Sequence, residues 1–230
     1  MTLVDPDPTV RNNVQVGLAI QSDAIHWAGL SQTGGRSVRV LAEVGATLST
    51  AAIVLECGPE DLNAKQEIFR GLLAKTPPET ILATASSAIV MSEILPDPID
   101  QSRCLVAHPV NPPAILRVIE QVPAPGTLCK TTTRSTSIFS AAGFTVVTLG
   151  HEVEGFVMNR LQSAVLRESY RLIDEGVTDV EGLDSIMRMA LGPRWALSGP
   201  FETADLNTTG GIDAHAARMG PAYKRIGELR

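Results

Sequence analysis

The chain has 230 residues, 44% hydrophobic and 19% charged, enough apolar content for one substantial core or for a larger and a smaller one. Its formal net charge of −6 offers no basic face for a phosphate backbone, and no Lys/Arg cluster with interleaved aromatics occurs, which argues against nucleic-acid binding and favours a small-molecule or protein partner. No apolar run approaches the roughly 20 residues of a membrane span, and the opening MTLVDPDPTV lacks the basic-then-apolar order of a secretory signal.

The first predicted element is a strand at 2–5 (TLVD). The stretch 9–37 that follows carries no firm signal of either kind. Strands are predicted at 39–44 and 53–57, then a helix in DLNAKQEIFRGLLAK, where Leu62, Ile68, Phe69, Leu72 and Leu73 fall on one stripe behind an N-terminal Pro59, Glu60 and Asp61. Further strands are predicted at 80–85, 103–108, 115–122 and 144–149, with helices between them. This alternation predicts an α/β fold, a parallel sheet covered on both faces. After about residue 150 the strand signals stop. GFVMNRLQSAVLRESYRLIDEG reads as a long helix closed by Gly176, and VEGLDSIMRMALG as a second, so we divide the chain into an α/β domain, 1–150, and a helical domain, 151–230.

Cys57, Cys104 and Cys129 are odd in number, widely spaced and in or beside apolar runs, which fits reduced thiols rather than a disulfide framework or a metal site, and predicts a cytoplasmic protein. The most informative stretch is AHPVNPPAILRVIEQV. His108 ends one apolar strand, a Pro/Asn turn follows, and Glu120 lies twelve positions on in the next strand. At about 3.3 Å per residue, a turn near 110–114 and a return of some six residues bring Glu120 back beside the imidazole. A carboxylate there fixes the histidine tautomer and suits a general base at neutral pH. Spacing alone favours a satisfied, partly buried histidine and an unrelated surface glutamate.

HPVNPP and its following strand, then EGFVMNRLQSAVLRESYRLIDEGV and GPRWALSGPFETADLN, resemble in order the signature of the L-3-hydroxyacyl-CoA dehydrogenase superfamily, on its lambda-crystallin (L-gulonate 3-dehydrogenase) side, over roughly residues 52 to 225. The resemblance implies a Rossmann-like doubly wound sheet followed by a smaller helical substrate and dimerisation domain, with NAD as cofactor. It also assigns roles: His108 as base, Glu120 as its partner, Ser86 of TASSA as substrate-hydroxyl ligand, Asn159 of GFVMNR as the polar group reaching in from the helical part, and Asn111 near the nicotinamide. Ser86, Glu60 and Lys65 would contact the cofactor. Read without the resemblance, Ser86 and Asn111 are equally turn residues, and Glu60 and Lys65 a helix N-terminal acid and a solvated lysine. His26, His151 and His215 have no comparable setting. TASS in place of Asn-Thr-Ser-Ser, and HPVN in place of His-Phe-Phe-Asn, depart from the family pattern, and the second weakens the case for a long acyl-CoA.

No G-x-G-x-x-G turn, which would cradle a pyrophosphate at a helix N-terminus, occurs in the sequence; Gly17, Gly29 and the Gly34–Gly35 pair have the wrong spacing. TLVDPDP resembles the family's second strand, with Asp5 as the ribose-binding acid and a preference for NAD over a 2′-phosphorylated cofactor. The first strand of the sheet is therefore missing, the expected 3-2-1-4 order has two unpaired inner edges, and Met1 reads as a misassigned start downstream of a glycine-rich segment. An intact mass of the native protein matching Met1 to Arg230 would reject that reading. The resemblance implies a dehydrogenase acting on the 3-hydroxyl of a small hydroxy acid or acyl-CoA, as a homodimer. A catalytically silent structural or binding protein of the same fold that no longer binds NAD is the competing reading, and a lysine-based hydroxyacid dehydrogenase a weaker third, because GFVMNRLQ carries no lysine.

Overall fold

The alternation of short apolar and longer amphipathic segments becomes seven strands in the computed structural model, which describes residues 1–30 and 37–228. The strands are β1 (Thr2–Val4), β2 (Arg39–Leu41), β3 (Ile53–Glu56), β4 (Ile81–Thr84), β5 (Cys104–Pro109), β6 (Val118–Pro123) and β7 (Thr145–Thr148). Each lies inside or within a residue of a predicted strand. The helices are α1 (Pro8–Trp27), α2 (Leu62–Lys75), α3 (Met91–Ile94), α4 (Cys129–Ala141), α5 (Met158–Asp174), α6 (Val180–Ile186), α7 (Gly192–Leu197), α8 (Pro200–Leu206) and α9 (Gly211–Glu228). The Gly34–Gly35 pair lies outside the described residues. No helix among the described residues is long and apolar enough to cross a membrane.

Helix α1 fills most of the stretch for which the sequence pattern named no element. Its signals are local: Asp7 caps it by accepting the Thr9 amide at 2.7 Å, and Pro8 occupies the first turn. None of its residues is buried, and only one face, with Val14, Leu18 and Ile25, is partly covered. Helix α2 is capped by Asp61, whose carboxylate accepts the Ala64 amide at 2.8 Å, and it buries Lys65, Phe69 and Leu72.

The strands form two sheets. Strands β1 and β2 pair in parallel, and the other five pair in the order β3-β4-β5-β6-β7, all parallel except the antiparallel β5–β6 pair. Among the described residues β1 pairs only with β2 and β3 only with β4. At the open edge Leu55 is 39% exposed, whereas all four residues of β4 are buried.

The larger sheet is covered on both faces. Leu82, Cys104, Val106 and Val122 pack with Phe69, Leu72, Met91, Leu149 and Phe156, and Ala83, Leu105, Ala107 and Ile119 face Phe139 of α4 on the other side. Alternating residues of the same strands thus feed two cores, the strand periodicity of two made three-dimensional. The half-buried Arg103 guanidinium joins the end of α2 to the start of β4, donating to Thr76 Oγ1 at 2.8 Å and to the carbonyls of Leu73, Pro77 and Thr80 at 2.6–3.1 Å.

The chain divides into two compact units, Met1–Leu161 and Gln162–Arg230, the division falling inside α5. The second unit is helical. Gly176, at φ 68, terminates α5 with its amide on the Ile173 carbonyl, as the sequence pattern predicted. The stretch read as one helix over 180–192 is α6 followed by a π-helical turn, Met187–Leu191, running into α7. Pro193 cannot donate a hydrogen bond, and the Gly192 amide reaches back five residues to the Met187 carbonyl.

Candidate active site

The antiparallel register of β5 and β6 sets His108 directly across from Glu120. Cross-strand partners share a face, and His Nδ1 lies 2.9 Å from Glu Oε2, with the two residues only 7% and 4% exposed. The other carboxylate oxygen is fixed as well: Glu120 Oε1 accepts the amides of Val157 at 2.8 Å and Met158 at 2.9 Å, where α5 begins. A helix N-terminus presents free N–H groups and positive partial charge, so the carboxylate is both oriented and electrostatically matched there. With both its oxygens acting as acceptors, Glu120 requires the imidazole to carry its hydrogen on Nδ1. Nε2 then bears the lone pair.

Just before those two amides, Phe156 takes φ 52, the left-handed region, and is the non-glycine residue in that conformation among the described residues. Such a backbone costs about 1–2 kcal/mol for a residue with a Cβ. The ring is fully buried, with its centroid 5.6 Å from that of the imidazole at a tilt of 52°.

A second cluster lies at the carboxyl ends of β3 and β4. The parallel β4–β5 register ends at Thr84 opposite Val106, and the turn that carries Ser86 follows the carboxyl end of β4. Ser86 is 1% exposed, and its hydroxyl donates to Glu60 Oε1 at 2.6 Å while accepting the Ile89 amide at 2.8 Å. The same Glu60 oxygen accepts the amides of Ser87 at 3.0 Å and Ala88 at 3.1 Å. Burial alone would raise the Glu60 pKa, but the bonds from Ser86, Ser87 and Ala88 and the charge of Lys65 outweigh it and hold the carboxyl below its ordinary value. Ser87 is exposed, and its carbonyl accepts Asn159 Nδ2 at 2.8 Å. Asn159 thus reaches the serine turn that follows β4.

Lys65 is 1% exposed. Its ammonium lies 3.0 Å from Glu56 Oε2 and 3.5 Å from Glu60 Oε2, and Thr84 donates its hydroxyl to the same Glu56 oxygen at 2.6 Å. Far from a solvated lysine, it is a paired buried charge between the loops after β3 and β4. Asn111 is exposed just beyond the carboxyl end of β5, and Asp5 follows β1, its Oδ1 accepting the Asp7 amide at 2.8 Å.

Six of the eight residues named from the sequence, His108, Glu120, Ser86, Asn159, Glu60 and Lys65, are joined by these contacts, directly or through neighbouring backbone; Asp5 and Asn111 are not. Sequence reasoning missed three participants. Glu56 ends an apolar strand and looks like an edge acid, Thr84 was noticed only as a departure from a pattern, and Phe156 reads as one more apolar residue in a helical stripe. The cluster gathers at the carboxyl ends of parallel β3, β4 and β5, where open α/β sheets bind ligands. An acceptor nitrogen, a hydroxyl turn and an exposed amide there suit the reacting end of a nicotinamide cofactor and a hydroxylated substrate.

Residues 28–153 match the family model described as 3-hydroxyacyl-CoA dehydrogenase, NAD binding domain, and residues 155–226 match its C-terminal domain. A lambda-crystallin homolog of Bos taurus is 39% identical over 173 residues, 75% of this chain and 54% of that protein. A 3-hydroxyacyl-CoA dehydrogenase of Gibberella moniliformis is 36% identical over 186 residues, 79% of this chain and 58% of that one. The chain therefore spans little more than half the length of these curated relatives. Among solved structures, an NAD+-dependent dismutase, 5-formyl-3-hydroxy-2-methylpyridine 4-carboxylic acid 5-dehydrogenase, superposes with a TM-score of 0.84 at 26% identity, covering 95% of this chain and 71% of that one.

Proposed function

Because the chain belongs to the 3-hydroxyacyl-CoA dehydrogenase family, whose first domain binds NAD, we propose that it oxidises the 3-hydroxyl of a small hydroxy acid or a 3-hydroxyacyl thioester, with His108 as general base and Glu120 as its partner. The observation that carries this reading is the doubly fixed carboxylate: Glu120 Oε1 on two helix-terminal amides and Oε2 on Nδ1 of His108. That arrangement leaves Nε2 as the proton acceptor and supplies a negative charge to stabilise the imidazolium once the substrate proton arrives. Glu60 and Asn159 hold the serine turn that follows β4, with the exposed Ser87 available to the substrate hydroxyl and the buried Ser86 bracing the turn through Glu60.

NAD, when bound, supplies the hydride acceptor. Asn111 beyond β5 would meet its nicotinamide end, and Asp5 at the end of β1 its adenosine ribose. No glycine-rich turn for the pyrophosphate occurs in these 230 residues, which supports a second reading: a catalytically silent structural or binding protein of the same fold that does not hold NAD. Calorimetry with NAD on the full chain separates the two, since absence of binding rejects the dehydrogenase reading for this chain. Given binding, reduced-nicotinamide absorbance is screened with L-gulonate, 3-hydroxybutyrate, 3-hydroxyacyl-CoA and carnitine. His108→Asn is expected to lower turnover of the best substrate by about 10²–10⁴-fold. Turnover within a factor of a few of the parent would remove His108 from the role.

We place the protein in the cytoplasm, because its three cysteines are unpaired, and as a homodimer, an expectation developed below.

A further inference from the structure

The buried ring at Phe156 has no part in the chemistry just described, yet it occupies the one costly backbone position next to it. Gly155 (φ 72) and Phe156 (φ 52) turn the chain in succession, and the next two amides are those that hold Glu120 Oε1. The ring lies in the same apolar cluster as Leu82, Val106, Val122 and Phe69, and stacks at a tilt on the imidazole. A glycine would take this φ without strain, and a smaller apolar residue would fill a core position without reaching His108. One side chain here meets both needs. Its burial holds the left-handed turn that aims the Val157 and Met158 amides, and its ring, 5.6 Å from the imidazole centroid, limits the room in which that ring can turn away from Glu120.

We infer that Phe156 is a positioning residue for the His108–Glu120 couple, setting the carboxylate through the backbone and the imidazole through its ring. The inference deepens the proposed reading, on which its catalytic meaning rests, but its test uses neither cofactor nor substrate. The full chain is labelled uniformly with ¹⁵N, and the His108 ring signals are identified by their loss in His108→Asn. In the parent, two well-separated signals are expected, a protonated Nδ1 and an unprotonated Nε2, together with downfield, slowly exchanging amide protons at Val157 and Met158. In Phe156→Leu, both amide signals move upfield and the two ring signals move toward each other as the tautomer becomes mixed. Phe69→Leu, an equally buried phenylalanine of the same cluster, lowers stability but leaves the His108 pair in place.

Unchanged ring signals in a folded Phe156→Leu overturn the inference, as does an equal effect from Phe69→Leu. If Phe156→Leu does not fold, the parent decides alone: ring-to-ring nuclear Overhauser contacts between Phe156 and His108 with the two downfield amides support the proposal, and their absence overturns it. A correct signature in a chain that never turns over substrate would defeat the dehydrogenase reading and leave the positioning intact.

Discussion

At the scale of single residues, the site is a set of acceptors whose protonation is dictated by neighbours. Glu120→Gln makes this testable because it keeps size and shape. The two amides of Val157 and Met158 demand an acceptor, so the new side chain turns its carbonyl oxygen toward them and its NH₂ toward His108. Nδ1 must then become the acceptor, the ring hydrogen moves to Nε2, and the proton-accepting position is lost. We expect turnover to fall by about 10²–10⁴-fold in a protein destabilised by only about 1–3 kcal/mol, read by steady-state kinetics and urea unfolding on the same preparation. Retention of parental turnover would show that the tautomer does not govern the reaction.

Glu60 offers a pH test. Its carboxyl titrates below its ordinary value in the folded chain, so the ionised form stabilises the fold at neutral pH. That contribution is complete above the unfolded value of about 4.3 and is lost as pH falls through the lower folded value. Glu60→Gln should therefore lower the urea midpoint at pH 7, with the difference from the parent vanishing at strongly acid pH. The side chain is 41% exposed, so solvent screening keeps the effect modest. A difference that stays constant down to acid pH would mean that the lost hydrogen-bond shape, not the charge, matters.

At the scale of elements, the legible parts of the sequence were those with a period. Seven strands followed from apolar alternation and its boundaries, whereas counting residues around one turn showed only that a His108–Glu120 contact was geometrically possible, and the family resemblance singled it out. Helix α1 was harder to read because it buries none of its residues and only Val14, Leu18 and Ile25 mark a partly covered face. The tie from Glu60 to Ser86 spans 26 positions and two loops, and no local pattern encodes it. Phe156 was hidden for a third reason, since a left-handed turn announces itself in sequence only when glycine occupies it.

Arg103 belongs to this scale, since it ties the end of α2 to the start of β4. Four acceptors on those elements depend on one half-buried guanidinium. Arg103→Met keeps much of the stem's packing and leaves the carbonyls of Leu73, Pro77 and Thr80 short of a donor, for an expected loss of about 2–3 kcal/mol in urea unfolding. A loss under about 0.5 kcal/mol would mean that water replaces the guanidinium at no cost.

At the scale of the whole molecule, the two units differ in how they hold themselves together. The first has two apolar clusters around a five-stranded sheet, whereas none of the described residues from 162 to 228 is buried. Met189, Leu197, Phe201 and Leu206 are 81%, 90%, 79% and 74% exposed, an apolar load far above what a soluble helical unit of this size leaves in water. Helices with such faces and no core of their own gain stability by covering them, and a second copy of the chain offers the same faces in a closed two-fold arrangement. Sedimentation equilibrium of the full chain should therefore give a dimer at micromolar concentration, with a thermal midpoint that rises with protein concentration, as mass action requires when association and folding are linked. Leu197→Lys and Phe201→Lys should each shift the equilibrium toward monomer and lower the midpoint, since each charge would be desolvated in the interface at a cost of several kcal/mol. A parent chain that sediments as a monomer at every concentration, with an unvarying midpoint, would show that these faces are not covered by a second copy.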